Sequence, residues 1–150
     1  MWDLGSYAIT PGRLFFNEMP EEVIGRVLTR HQQTNVDTSF SILARYPNGK
    51  SLVGHFGFDT EYRNYLNVFG MEISIFIDRV FSMPPHLETE IQVRHHNQEK
   101  KHRVPSADTF SLFLQKVLNA ILNQKWESFR DDLLKDAHAL HQLRLSTGEE

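Results

Sequence analysis

The stretch TSFSILARYPNGKSLVGHFGF constrains this chain more than any other. Phe40, Ile42, Ala44 and Tyr46 alternate with Ser39, Ser41 and Arg45, and Leu43 breaks the polar side. That two-residue period is the mark of a half-buried strand. Pro47-Asn48-Gly49-Lys50 follows, and Asn-Gly between two alternating runs is the strongest short hairpin signal. Leu52, Phe56 and Phe58 then alternate on the return. The spacing predicts an antiparallel hairpin. The glycines of GHFGFD fall inside the return strand and do not make G-x-G-x-x-G.

More strands follow. In NYLNVFGMEISIFIDRVF, Met71, Ile73, Ile75 and Ile77 alternate with Glu72, Ser74 and Asp78, with Gly70 as a turn or bulge between two short strands. Pro84-Pro85 ends that run. TEIQVRHH reads as another strand, NQEKK as a turn and HRV as a short return. After Pro105 the period changes. Ser106 is a suitable N-cap, and Phe110, Phe113, Leu114, Val117, Leu118 and Ile121 recur at helical spacing. This stripe is expected to be core. A second helix carries Trp126, Phe129, Leu133, Ala137 and Leu140, with His138 and His141 near its exposed face. Strands first and helices last predict an α+β fold, with a mostly antiparallel sheet and helices on one face.

Two segments are ambiguous by period alone. PEEVIGRVLTRHQQ places Val23, Ile24, Val27 and Leu28 at helical spacing, yet it also alternates passably as a strand. Residues 2–16 can form a helix despite Gly5 and Gly12, but Pro11 is awkward in a helix interior.

With 150 residues, the chain is expected to form one domain with a real core. A net charge of −3 argues against general nucleic-acid binding. The absence of cysteine excludes disulfides, Cys-based zinc sites and a thiol nucleophile. No apolar run reaches the length of a membrane span, and the first residues lack the regions of a signal peptide. The expectation is a cytoplasmic protein with no membrane or nucleic-acid partner.

The chemistry-bearing clusters are few. His95, His96 and His102 lie among Arg94, Lys100, Lys101 and Arg103. A metal site or an anion patch is conceivable there, but a solvated hairpin tip is the plainer reading. There is no H-E-x-x-H, phosphate-cradling glycine loop or G-x-S-x-G elbow. No metal site is expected. Asp3 and Tyr7 are four apart, so on a helix they share a face. Taken alone, they read as a capping acid and a packed phenol.

The order of segments gives the pair a context. DLGSYAITPGRLFFNEMPEEV, then VDTSFSILARYPNGKSLVGHFGFDTEYRNYLNVFG, then DRVFSMPPHLETEIQV and RVPSADTFSLFLQKVLNAI, taken together, resemble the C-terminal half of the Gfo/Idh/MocA family of NAD(P)-dependent oxidoreductases. The opening looks like that family's D-x-G-x-Y/H segment, and Ala107-Asp108-Thr109-Phe110 like its a-D-x-F helix start. The resemblance runs from Trp2 to about Leu145.

That resemblance implies one substrate-binding and dimerisation domain over 1–150. It comprises a helix at about 2–16, a large open sheet at about 22–105 and two helices at about 106–145, with residues 22–31 a strand. It implies hydride transfer on a sugar or similar polyol, and a homodimer through the open sheet face. Phe40, Ile42, Ile73, Ile75 and Ile91 are candidates for one face or the other. In the family, a Rossmann domain holds the dinucleotide, and a lysine of its E-K-P segment works with the Asp and the His or Tyr. Carried over, Tyr7 relays the proton at the alcohol or ketone oxygen, and Asp3 orients the lysine or the substrate. A phenol ordinarily titrates at about 10, so such a role calls for a nearby cation. Tyr7 in place of His, and Thr10 in place of Asp, fit sugar oxidoreductases of the Tyr type better than an inositol-dehydrogenase site. The sequence contains neither a strand–G-x-G-x-x-G–helix unit nor E-K-P. This chain alone is therefore expected to bind no cofactor tightly and to be inactive. The competing readings are a stand-alone binding or assembly module and an unrelated α+β binding protein.

Overall fold

The structure is a computed structural model that describes the backbone of residues 2–148 and the side chains of residues 4–148. The elements run α1 (Trp2–Phe16), β1 (Glu22–Arg30), β2 (Asp37–Arg45), β3 (Ser51–Gly57), β4 (Tyr65–Phe69), β5 (Ile73–Asp78), β6 (Thr89–His95), β7 (Gln98–Val104), α2 (Thr109–Leu122) and α3 (Glu127–Ser146). The α+β class holds. Every strand pairing is antiparallel. The strands form two ladders, β1-β2-β3 and β4-β5-β6-β7. Residues 22–30 are a strand, so the alternation and not the helical spacing describes that ambiguous window.

The chain divides into two compact units, Met1–Thr60 with Glu127–Glu150, and Glu61–Trp126. The first holds the core. Val23, Phe40, Ile42 and Ala44 are buried on one face of its ladder, and Ala8, Ile9, Ala139 and Leu143 are buried on α1 and α3. Phe40 lies opposite Phe56 in the register, and the two rings stack at 5.1 Å. The other face shows an apolar row across all three strands. Ile24 pairs with Leu43, Leu43 pairs with Val53, and all three are exposed. This is why Leu43 interrupts the polar side of its strand. The β2–β3 hairpin turns through Tyr46–Lys50, and Asn48 and Gly49 both take left-handed backbone angles (φ 61° and 74°).

In the second unit, the β6–β7 hairpin is tighter than its sequence suggests. The expected turn NQEKK is mostly strand, because β7 begins at Gln98 and pairs straight back to His95. α2 starts two residues later than Ser106 predicts. Asp108 is its N-cap, accepting from the Ser111 N–H at 3.1 Å and the Ser111 hydroxyl at 2.6 Å. These bonds favour the carboxylate, so Asp108 titrates below its ordinary value.

Two expectations about the helices need correction. The α2 stripe is not core. Phe110, Phe113, Leu114, Leu118 and Ile121 are exposed, and α2 has no buried residue. The α3 stripe is also displaced. Trp126 and Leu133 are exposed, whereas Ala139 and Leu143 are buried. Asp136 lies on the buried face of α3 and bonds to α1. That face joins an ion pair and a small residue to Leu143, and Leu140 of the expected stripe packs against the core as well.

Candidate functional site

α1 carries both predicted site residues, so what holds α1 sets their position. Its glycines look like helix breakers, since a mid-helix glycine costs about 0.5–1 kcal/mol relative to alanine. Here they permit close approach. A Cβ on Gly5 lies 2.6 Å from Leu140 Cδ1, and one on Gly12 lies 1.9 Å from the Tyr46 hydroxyl oxygen. Tyr46 is almost wholly buried and meets Phe16 edge-on at 4.8 Å. Burial, and then the charge of Asp136, pushes its phenol above the ordinary value.

A polar clamp reinforces this packing. Arg13 donates from Nε to Asp136 Oδ1 at 2.7 Å and from Nη2 to Oδ2 at 2.9 Å. This is the fork geometry that makes arginine–carboxylate pairs strong and directional. Nη1 lies 3.1 Å from Asp132 Oδ2, and the Thr10 hydroxyl donates to Asp136 Oδ2 at 3.2 Å. The bonds to Asp136, foremost among the causes, raise the Arg13 guanidinium above its ordinary value. No local sequence signal finds this clamp, because Arg13 and Asp136 are 123 positions apart.

Tyr7 sits one turn before Thr10 on the same helix and is half-buried. Pro11 has no N–H to give the Tyr7 carbonyl four residues back, so the helix lacks one rung there. Asp3 belongs to the first turn of α1, and its side chain lies outside the described residues. The arrangement can hold a phenol on a helix fixed from beneath, as a positioned proton donor requires.

The histidine cluster is rearranged. His102 pairs across the ladder with Ile91, while His95 pairs with Ile73 and Gln98. The residue brought to His95 and His96 is Glu72. Its Oε2 lies 4.0 Å from His95 Nε2 and 3.8 Å from His96 Nε2. Sequence reasoning missed Glu72 because only the β5–β6 register makes it a neighbour.

No described helix is long and apolar enough to cross a membrane. No curated protein matches the chain. Among solved structures, KijD10, a 3-ketoreductase from Actinomadura kijaniata in complex with TDP-benzene and NADP, superposes with a TM-score of 0.84 at 20% identity, over 97% of this chain and 46% of that one. The UDP-N-acetylglucosamine 3-dehydrogenase GnnA from Acidithiobacillus ferrooxidans superposes with a TM-score of 0.78 at 12% identity, over 96% of this chain and 45% of that one. The chain thus spans less than half the length of these solved relatives, and the likeness is one of fold. The GFO/IDH/MocA C-terminal domain matches residues 1–76 in sequence. The chain belongs to that family.

Proposed function

We propose that this chain is the substrate-side and dimerisation domain of an NAD(P)-dependent oxidoreductase acting on a sugar or a nucleotide-linked sugar. One observation carries the reading: nearly the whole chain superposes on less than half of a 3-ketoreductase in complex with TDP-benzene and NADP. In this reading the dinucleotide is held elsewhere than by the described residues. Both ladders are antiparallel, so no strand–glycine turn–helix unit of a parallel βαβ cradle is present among them.

What this chain contributes lies at the substrate oxygen. The Tyr7 hydroxyl gives its proton to a carbonyl oxygen as that oxygen gains charge, and takes it back from the alcohol in the reverse direction. A lysine of the dinucleotide domain supplies the positive charge that makes a phenol useful in this role. Asp3, at the head of the same helix, orients that lysine or the substrate hydroxyls. The test is NAD(P)H-dependent reduction of a keto-sugar by the enzyme that combines this chain with a dinucleotide domain. Activity that survives removal of the Tyr7 hydroxyl overturns the assignment.

Dimerisation rests on the uncovered sheet face. Phe40 and Ile42 face the helices, whereas Leu43 and Val53 (77% exposed) are on the other side with Ile24. An exposed apolar row across three strands is what a second subunit would cover. Light scattering should report a dimer for the wild-type chain and a monomer for Leu43→Lys with Val53→Lys. A monomeric wild type at high concentration contradicts the proposal.

A further inference from the structure

We propose that Glu72, His95 and His96 form a surface site for a divalent transition-metal ion of the zinc class. The proposal is independent of the hydride-transfer reading. Two imidazoles and one carboxylate are a recurring donor set for zinc and its neighbours, with the remaining positions left to water or another ligand. The three donor atoms all lie within 4.8 Å of one another. A tetrahedral ion with bonds of about 2.0–2.2 Å brings its donors to roughly 3.3–3.6 Å apart. The two separations from Glu72, 3.8 and 4.0 Å, therefore need only small side-chain rotations. All three side chains are more than half exposed, so such rotations meet little resistance.

The backbone already holds the trio. The Ile73–His95 pairing in the β5–β6 ladder places residue 72 beside residue 96. The His96 N–H donates to the Glu72 carbonyl at 3.1 Å, tying the turn before β5 to the β6–β7 hairpin. His96 takes a left-handed conformation at that hairpin, with φ 50°. A side chain is strained there, and glycine or asparagine is the ordinary choice. The His95 and His96 rings lie 4.3 Å apart, with planes tilted by 55°. Glu72 and His96 also line a depression of about 260 Å³ beside Gly70 and Met71, so the site opens to solvent and to a further ligand.

The left-handed turn makes a clean test available. His96→Gly removes a ligand and relaxes the backbone, so loss of binding cannot be charged to unfolding. Titration of the tag-free chain with zinc, followed by calorimetry, should give one saturable equivalent. His96→Gly and Glu72→Gln should each weaken it by at least the roughly 10–100-fold that loss of a mere supporting partner costs a metal site. His138→Ala, on α3, should leave it unchanged. Absence of saturable binding overturns the proposal. So does wild-type affinity in His96→Gly or Glu72→Gln, or a loss of binding confined to His138→Ala.

Discussion

Replacing Tyr7 by phenylalanine should lower kcat of the complete enzyme by about 10²–10⁴-fold, the range supplied by a positioned general acid or base. The change deletes one oxygen and keeps the ring, which is half-buried on α1. Substrate KM should move little, because the proton is needed in the transition state more than in the ground state. A structural role would leave a different signature. The helix is held by Gly12 against Tyr46 and by Arg13 on Asp136. Turnover should fall by far more than any change in thermal stability explains. Steady-state kinetics and a melting curve on the same preparation separate the two. A kcat within a few-fold of wild type removes Tyr7 from the proton path.

Gly12→Ala should destabilise the chain, against its helix propensity. Propensity alone favours alanine by about 0.5–1 kcal/mol in a helix interior. Packing opposes it. The new methyl lies 1.9 Å from the Tyr46 hydroxyl oxygen and 2.5 Å from the ring carbon that bears it. Tyr46 cannot swing away cheaply, because it is 1% exposed and meets Phe16 edge-on. Overpacking of this kind typically costs about 1–3 kcal/mol, so packing wins and the net change is a loss. Urea denaturation should show a lower midpoint than wild type. Gly12→Ala as stable as wild type, or more so, means that α1 does not approach the ladder this closely. The same substitution bears on function, since shifting α1 moves Tyr7.

Much of the fold is legible in the sequence wherever one period dominates. Residues 39–58 alternate apart from Leu43 and Val53, and their Asn-Gly turn adopts the left-handed angles that dipeptide favours. Residues 22–31 carry both periods, and only the pairing of Val23 with Ala44 and Gly25 with Ile42 makes them a strand. The helices misled for opposite reasons. α2 has a strong apolar stripe, yet it stands exposed, because a stripe records a preference for burial and not a partner. α3 buries the face that carries Asp136, which apolar counting passes over.

The candidate site divides in the same way. Tyr7 and Asp3 are candidates through the resemblance of a whole chain of segments, not through their spacing. The clamp on α1 and the Glu72 neighbour of His95 and His96 depend on contacts 23 to 126 positions apart. No window of sequence displays those.

The central claim is that this chain supplies the substrate side of an oxidoreductase and not its dinucleotide side. Calorimetric titration of this chain alone with NADPH tests it most directly. The account predicts no saturable heat and no dehydrogenase turnover with any sugar offered. Stoichiometric NADPH binding, or turnover by this chain alone, would contradict it.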